Sequence, residues 1–314
     1  MFGKRVRYVL LGISLVLLFT GCTLHTDTSP AIEESQDSES KVKKLRPQTE
    51  EKDEIKEDPD QEEEVVKAIT VSDMKEDELL RFMEHKYRER EVTAFGENME
   101  GVITSIDTDE KIAALTFDAC GGPHGSAFDE DLITFLMNER IPATLFMNGR
   151  WIEENEKTMK ILSKHELFDI ENHGYSHKPL SLDGRSAYGI RGTEGIKEVL
   201  QEVMQNQKLI FSYTGRNPRY FRSGTAYYDD VTLEVLKDLD LKAVNYDVLG
   251  DAGATFNKEQ MIRSAGRVTR GSIFLYHMNQ PHKNIAEGVK HVVPMLQEMG
   301  YSFVKLSDYD EYLK

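Results

Sequence analysis

The sequence predicts an α/β fold in which seven parallel strands form a distorted barrel, (β/α)7, with helices on the outside. Short apolar segments alternate with segments of helical periodicity through the last two-thirds of the 314 residues, a pattern typical of parallel strands joined by helices. A polar residue suited to catalysis or binding ends six of the seven strand segments: Asp118, Asn148, His173, Arg222, Asp247 and His277. Residues at the carboxyl ends of barrel strands meet on one face. A doubly wound open sheet is the alternative, but its polar groups gather at one switch point.

The strand segments begin after about Gly101. In chain order they read IAALTF, ATLFM, LFDI, RYF, KAVNY, SIFLY and YSFVKL. Short, nearly continuous apolar runs indicate strands that are covered on both faces, as in a parallel sheet.

Amphipathic segments lie between these strands and predict the outer helices. They read DEDLITFLMNER, IEENEKTMKILSKH, GIKEVLQEVMQNQKLIF, DDVTLEVLKDLD, NKEQMIRSAGRV and IAEGVKHVVPMLQEMG. Apolar residues at helical spacing also predict a short helix over 74–90. This helix belongs to a lead-in, residues 73–100, that precedes the predicted domain at 101–314.

Residues 1–21 are predicted to be an export signal. A basic start precedes the uncharged residues 8–21, which are too few for the ~20 residues of a membrane span. Residues 19–22, Phe-Thr-Gly-Cys, resemble a bacterial lipobox, which implies cleavage before Cys22 and a diacylglyceryl group on its thiol. The chain would then be lipid-anchored at the extracytoplasmic face of the cell membrane. An ordinary signal peptide with an incidental cysteine is the alternative.

Residues 22–72 are predicted to form a disordered acidic stalk. They are rich in Ser, Thr, Asp, Glu and Lys, and such a segment buries too little apolar surface to offset its ordering entropy. Much of the net charge of −16 lies in this part of the chain and in the lead-in. The acidic balance argues against a nucleic-acid partner. Two cysteines in the whole chain exclude a disulfide framework.

The polar strand ends can be given chemical roles. His173 and His177 stand in an H-x-x-x-H spacing, which is a common way to bind zinc. Because such pairs are more often solvated or capping, their weight comes from the company of Asp118, Arg222 and His277. Each of these also has an ordinary structural alternative: a helix cap, a surface ion-pair partner and a backbone-bonded histidine, in that order.

Taken together, these residues resemble the motifs of the polysaccharide deacetylase family, also called the NodB-homology domain or carbohydrate esterase family four. The resemblance covers about residues 110–312. Residues 116–120 match T-F-D-D-G as T-F-D-A-C, and 173–177 match the histidine motif. Arg222 alone matches the arginine motif, and 275–277 match L-x-H, whereas the Asp/Trp motif is poorly matched. The resemblance implies a distorted (β/α)7 barrel.

The resemblance also implies a metal-assisted hydrolase that removes N-acetyl or O-acetyl groups from an extracytoplasmic glycan. His173 and His177 would bind a divalent metal, usually zinc. Asp118 would be the general base, Arg222 would keep it ionised and oriented, and His277 would protonate the departing amine. Peptidoglycan is the first expected substrate and chitin-like oligomers are the next. The chain is expected to act as a monomer.

One position departs from the family. Ala119 stands where the third metal ligand, an aspartate, is expected, and alanine cannot bind a metal. The metal could bind more weakly with an extra water, or a substitute ligand could come from Cys120 or His124. The site could also have lost its metal and its activity. If the first reading holds, Ala119→Asp should tighten zinc binding.

The competing function is therefore a catalytically weak or inactive glycan-binding lipoprotein that uses the same groove. A third reading, a metal-independent or cyclic-amide-forming relative, has no residue that favours it. Because the base, the acid, the arginine and both histidines are kept together, catalysis is favoured over an inactive site.

Overall fold

The computed structural model describes residues 74–314. The predicted export signal, its lipidation site Cys22 and the predicted stalk lie outside the described residues, and for His124 the structure describes the backbone alone. Within 74–314, no helix combines the length and the apolar character that crossing a membrane requires.

A curled sheet of parallel strands forms the centre of the fold. The strands in chain order are β1 (Phe95–Gly96), β2 (Ile112–Ala119), β3 (Ala143–Met147), β4 (Phe168–Asn172), β5 (Tyr220–Phe221), β6 (Tyr228–Asp229), β7 (Lys242–Ala243), β8 (Val248–Leu249), β9 (Ser272–His277) and β10 (Ser302–Val304). The order across the sheet is β7-β5-β4-β3-β2-β9-β8, and β10 also pairs with β2. The predicted α/β fold with parallel strands is confirmed, and the sheet has the shape of a half-barrel.

Helices cover the outside of this sheet. They are α1 (Glu76–Tyr87), α2 (Glu130–Asn138), α3 (Gly149–Glu154), α4 (Glu156–Leu162), α5 (Gly195–Thr214), α6 (Asp230–Asp238), α7 (Lys258–Ala265) and α8 (Ile285–Glu298). The helix predicted over 152–165 is divided at Asn155. The Asn155 side-chain amide donates to the carbonyls of Ser126 and Trp151, and such bonds compete with continued helix.

The side chains of β2 alternate between two apolar clusters. Alternate residues of β2 from Ala113 to Ala119 belong to the outer cluster under the helices, whereas Ile112 and Ala114 belong to the inner cluster of the barrel. Every residue of β2 is buried. Because successive side chains of a strand point to opposite faces, Thr116 and Asp118 point into the barrel.

The two edges of the sheet are joined by a very short connection. Strands β7 and β8 are the edge strands, yet only residues 244–247 separate them in the chain. The Val244 amide donates to the Phe221 carbonyl of β5, and the Asp247 amide donates to the Ile273 carbonyl of β9. At ~3.5 Å per residue such a connection is short, so the sheet must curl until its edges approach. Because the chain passes from β5 to β9 within these residues, the strand predicted at KAVNY is shorter than expected.

The lead-in folds against the domain. Leu79, Met83 and Tyr87 of α1 enter an apolar cluster with residues of α5 and α6, and the Tyr87 hydroxyl donates to Asp238 at 2.7 Å. Farther along, β1 pairs with β6 in antiparallel register. The lead-in therefore ends beside the segment that follows β5.

Candidate active site

A candidate base and a candidate acid lie side by side on adjacent strands. Asp118 of β2 and His277 of β9 are direct register partners. Asp118 is 3% exposed, and its Oδ1 accepts a hydrogen bond from Arg222 Nη1 at 2.7 Å. Its other oxygen, Oδ2, lies 3.6 Å from His173 Nε2. One carboxylate oxygen is thus fixed by the arginine, and the other faces the histidines.

Arg222 is completely buried, and its hydrogen bonds hold it in one orientation. Besides Asp118, it donates to the Thr116 hydroxyl at 2.8 Å, and Nη2 donates to the Asn245 carbonyl at 2.9 Å. Its guanidinium also lies 4.1 Å from the ring centre of Phe146. A guanidinium with partners on several sides stays in place, so it can orient Asp118.

Cys120, His173 and His177 form a group that could hold a metal ion. One candidate ligand atom from each lies within 4.8 Å of the other two, and all three residues are buried. The distance from Cys120 Sγ to His173 Nε2 is 3.9 Å. This donor set, one thiolate and two imidazoles, is one that zinc favours, and three protein ligands are the usual number at a catalytic zinc site.

The imidazole of His173 is held in the form that a metal ligand needs. Its Nδ1 lies 2.9 Å from the Arg222 carbonyl, which can only accept, so Nδ1 carries the proton. The other ring nitrogen, Nε2, then faces Cys120 Sγ at 3.9 Å and Asp118 Oδ2 at 3.6 Å. An outer partner of this kind is the usual companion of a metal-binding histidine.

The loop that carries the two histidines is fixed by Glu202 of α5. The buried carboxylate of Glu202 accepts from the Ser176 amide at 2.9 Å and from the Lys178 amide at 3.1 Å. Gly174 passes so close that a Cβ there would lie 2.3 Å from Glu202 Oε1. His177 itself has a φ of 61°, a region that few residues other than glycine adopt. Glu202 therefore fixes the conformation of the histidine loop by binding its backbone amides.

Gly224 supports the same loop from the other side. A Cβ at Gly224 would lie 2.3 Å from the His177 carbonyl carbon, so any other residue at this position would displace His177. Gly224 follows Arg222 by two residues. The segment after β5 therefore supplies both the arginine and the surface on which His177 rests.

His277 is paired with Asp251. Its Nδ1 lies 2.9 Å from Asp251 Oδ1, and its backbone amide donates to Oδ2 at 2.7 Å. Burial alone would lower the pKa of His277, but the carboxylate of Asp251 and then Cys120 raise this pKa well above the ordinary value. These neighbours favour the protonated form of the ring, with Nδ1 held by Asp251 and Cys120 as a second hydrogen-bond partner.

The thiol of Cys120 is poised as a thiolate. Burial alone would raise the pKa of Cys120, but the nearby His177, His277 and His173 hold this pKa well below the ordinary value. The thiolate is the form of cysteine that binds metals. Cys120 is the single cysteine within residues 74–314, and the other cysteine of the chain is Cys22.

Ala119 does not face this group. It belongs to the outer apolar cluster, on the opposite side of β2 from Asp118. The chain then turns at Gly121, where φ is 70°, and the residue that reaches the histidines is Cys120. The side chain of His124 lies outside the described part of the structure, so its role as a ligand stays a prediction.

Two of the polar strand ends have structural roles. Asn148 caps α3 by accepting from the Arg150 amide, and its Nδ2 donates to the His173 and Gly174 carbonyls. Asp247 accepts from the Ile273 amide and the Ser272 hydroxyl at the start of β9, the end opposite to His277. Asn148 thus braces the histidine loop, whereas Asp247 is not part of the site.

The sequence analysis assigned no role to Glu202 or to Asp251. Glu202 had a usable signal, since it lies among the buried residues Val199 and Val203 on the apolar side of α5. A charge inside an apolar stripe needs a partner. The poorly matched motif around Asp251 concealed the residue that holds His277.

Comparison with known proteins relates part of this chain to polysaccharide deacetylases. Residues 105–244 match the family model described as polysaccharide deacetylase. A peptidoglycan-N-acetylglucosamine deacetylase of Listeria monocytogenes is 26% identical over 221 residues, which make up 68% of this chain and 41% of that protein. The chain therefore spans less than half the length of this curated relative.

Solved structures share the fold. A wild-type pseudoenzyme of carbohydrate esterase family 4 from Bacillus anthracis is 19% identical, with a TM-score of 0.54 over 64% of this chain and 66% of that chain. A family 4 acetyl xylan esterase from Clostridium thermocellum, solved with a cobalt ion, is 23% identical, with a TM-score of 0.51 over 63% of this chain and 90% of that chain.

Proposed function

We propose that this chain, of which residues 105–244 match the polysaccharide deacetylase family model, removes N-acetyl groups from an extracytoplasmic glycan, with peptidoglycan as the first expected substrate. The reaction breaks a carbon–nitrogen bond that is not a peptide bond. The similarity to a peptidoglycan-N-acetylglucosamine deacetylase supports the choice of substrate. The register pairing of Asp118 with His277, beside the Cys120 group, is the observation that carries the proposal.

Asp118 is proposed as the general base. Since Arg222 occupies Oδ1, the proton of the attacking water goes to Oδ2, the oxygen that faces His173. Arg222 holds the carboxyl group of Asp118 in one orientation through this hydrogen bond and places a buried positive charge beside it. Thr116, which accepts from the same guanidinium nitrogen, fixes the arginine in turn.

His277 is proposed as the general acid. The Asp251 carboxylate holds the imidazole by Nδ1 and favours its protonated form, so Nε2 can give its proton to the departing amine. Removing this pairing would leave a histidine whose orientation and protonation are both less well defined. Asp118 and His277 thus lie on adjacent strands in the two roles that water attack followed by amine departure requires.

Cys120, His173 and His177 are proposed to hold the divalent cation, zinc in the first instance. When bound, such a cation polarises the amide carbonyl and lowers the pKa of water. The proposal replaces the aspartate expected at 119 with the thiolate one residue later. It is supported by the distances within the group and by the hydrogen bond that directs His173 Nε2 toward it.

The position of Ala119 changes the expected result of restoring an aspartate. An aspartate at 119 would enter the outer apolar cluster, away from the histidines. We therefore expect Ala119→Asp to lower stability and leave zinc affinity unchanged, because a buried carboxylate without a partner is costly. Tighter zinc binding in this variant, measured by competition with a chromophoric chelator, would instead assign the third ligand to position 119.

Acetate release is the direct test. The full-length chain would be incubated with N-acetylated peptidoglycan and with N-acetylglucosamine oligomers, in the presence of zinc, cobalt or a chelator. Metal-dependent release that disappears in Asp118→Asn supports the proposed function. Release that is insensitive to the chelator would contradict the metal-assisted reaction.

An inactive glycan-binding protein is the second candidate. The absence of a carboxylate at Ala119 favours it, and a structural neighbour is described as a pseudoenzyme. Glycan binding by the unmodified chain with no acetate release under any metal would support this candidate. Acetate release with multiple turnovers would exclude it.

We propose in addition that Cys22 carries a lipid and anchors the domain at the extracytoplasmic face of the membrane. The lipobox-like residues before Cys22 support this location. Metabolic labelling with a fatty acid tests it: label should enter the unmodified chain and be absent from Cys22→Ala. Equal labelling of both chains would contradict a lipid on Cys22.

A further inference from the structure

Tyr188 is an exposed aromatic residue at a strained turn. Ala187 and Ile190 exchange backbone hydrogen bonds of 3.1 and 2.9 Å around the two residues Tyr188 and Gly189, whose φ values are 52° and 76°. Two positive φ values in a two-residue loop favour Asn-Gly or Gly-Gly, and a bulky residue is disfavoured at the first position. Tyr188 is also 74% exposed, the highest value among the large apolar side chains of residues 74–314. Its ring does not stabilise the core, so the strained position points to a functional use.

Tyr188 does not stand alone. Its ring meets that of Tyr227 edge-on at 5.5 Å, and Tyr227 lies 5.4 Å from the ring of Phe95. We call these three side chains the aromatic rim. Tyr188 comes from the loop after the histidines, Tyr227 from the segment after Arg222, and Phe95 from β1 in the lead-in. Three distant parts of the chain thus place their rings together.

Polar groups adjoin the rim. The Tyr246 hydroxyl donates a hydrogen bond to Glu97. Glu97 follows Phe95 by two residues, which places it at the lead-in side of the rim. Partial burial and then the Glu97 carboxylate raise the pKa of the Tyr188 hydroxyl to about 12. At neutral pH, Tyr188 is therefore a neutral donor, and Glu97 supplies an acceptor. Flat rings with a few polar groups at their edge are typical of a ligand site.

Buried hydrogen bonds connect the rim to the candidate active site. The Asn245 carbonyl accepts from Arg222, and the Asn245 side chain donates to the carbonyls of Ala226 and Glu97, at 2.9 and 2.7 Å. Ala226 precedes Tyr227, whose own carbonyl accepts from the Ser223 hydroxyl. The rim is therefore fixed to the same backbone that holds the arginine, at the same face of the barrel.

We propose that the aromatic rim is a carbohydrate subsite, which binds a sugar ring of the glycan chain at a distance from the sugar that reacts. A pyranose presents a face of C–H groups that packs on an aromatic ring, and its hydroxyls pair with groups such as Glu97. The acidic neighbour suits a neutral polysaccharide better than a polyanion. The subsite rests on the proposed function, since a glycan substrate is its occupant.

Binding of short and long oligomers tests the subsite. The metal-loaded, full-length chain would be titrated calorimetrically with the dimer and the hexamer of N-acetylglucosamine. Tyr188→Asn removes the ring and keeps a residue that suits the turn. We expect it to weaken hexamer binding about five- to tenfold and to leave the dimer unchanged. Tyr188→Phe should bind the hexamer nearly as well as the unmodified chain.

Tyr312→Asn is the matched control. Tyr312 is 57% exposed, and its carbonyl accepts from the Asp107 amide, at the amino end of β2 and away from Asp118. Its loss should change neither oligomer. Equal hexamer affinity in Tyr188→Asn and the unmodified chain overturns the subsite, as does an equal loss for both oligomers. Loss of phospholipid-vesicle binding in Tyr188→Asn with unchanged affinity for the hexamer also overturns it.

The result separates the subsite from the deacetylase. If the unmodified chain releases no acetate but Tyr188→Asn still weakens hexamer binding, the subsite holds and the proposed function fails. If acetate is released from the hexamer at the same KM in both chains, the subsite fails and the proposed function holds.

Discussion

Two buried carboxylates on the strands of this barrel pair with arginines, and the two pairs differ in use. On β2, Asp118 pairs with Arg222 at 2.7 Å. On β4, Glu171 pairs with Arg216 at 3.2 Å. Both carboxylates are almost completely buried. A buried carboxylate paired with an arginine is therefore not by itself the mark of an active site.

The surroundings of the carboxylate oxygens distinguish the pairs. Glu171 Oε2 accepts hydrogen bonds from the backbone amides of Arg219 and Tyr220, and Oε1 accepts one from the Arg216 side chain. Both oxygens are therefore occupied by groups at the start of β5 and just before it. Burial is the main reason why the pKa of Glu171 is raised to about 7. Asp118 keeps one oxygen directed at His173 and the group around it. The Glu171 pair stabilises the backbone at β5, whereas the Asp118 pair leaves one carboxylate oxygen facing the histidines.

The largest expected effect follows from removing the charge of Asp118. Asp118→Asn keeps the size of the side chain and should lower kcat about 10³- to 10⁴-fold, because the base is lost. Its melting temperature should fall as well, because the buried Arg222 loses its counter-charge. Acetate release and thermal unfolding measured on one preparation check both statements; a variant that keeps a tenth of the activity would contradict the assigned base.

The matched change on the other pair should lower stability without lowering kcat. Glu171→Ala removes the acceptor of two buried amides and is expected to cost about 3 kcal/mol of stability. The melting temperature should then fall by roughly 5–10 °C, while activity per folded molecule stays the same. Differential scanning calorimetry with an activity assay below the transition checks this. A specific loss of kcat would place Glu171 in the reaction.

Cys120→Ser sharpens the comparison by changing the metal group without touching either pair. Losing the thiolate should weaken metal binding by about 100-fold or more, since even an outer partner of a ligand can cost this much. In the cobalt-loaded chain, the sulfur-to-metal charge-transfer band should disappear in Cys120→Ser and persist in Cys22→Ser. A band that survives in Cys120→Ser would remove the cysteine from the ligand set.

The last expected effect is the dependence of stability on pH. The pKa of Glu171 is raised from 4.5 to about 7, so the folded state holds this proton more tightly than the unfolded state. The resulting stability is fully present below pH 4.5 and is lost as pH rises through about 7. Urea unfolding of Glu171→Gln across this range should lack the decline seen in the unmodified chain. Identical profiles would assign the decline to other groups.

Much of the barrel could be predicted because its strands are apolar and its helices are strongly amphipathic. The two-residue strands β1, β6 and β8 could not, because so few residues carry no periodicity. Their pairing is set by the closure of the sheet and by the lead-in. Asn155 likewise divides a helix through side-chain bonds that are invisible to periodicity.

Within the site, the sequence could propose which side chains meet, but not which way they point. The distinction between Ala119 and Cys120 depends on strand alternation followed by the turn at Gly121, which needs the exact end of β2. Glu202 and Gly224 act on the histidine loop from distant parts of the chain. Such contacts come from tertiary packing and leave only a weak trace in local pattern.

The pairing of β2 with the last strand has a consequence for the timing of folding. β2 is the first barrel strand to be synthesised. It nevertheless pairs with the last two strands, β9 (Ser272–His277) and β10 (Ser302–Val304). Contacts between such distant residues form slowly, because a long loop must close before they contribute. The strand that bears Asp118 therefore waits for almost the whole chain. A stop codon before β10 would leave its amino-terminal half without a partner on one side, so late truncations should damage the site that lies earliest in the domain.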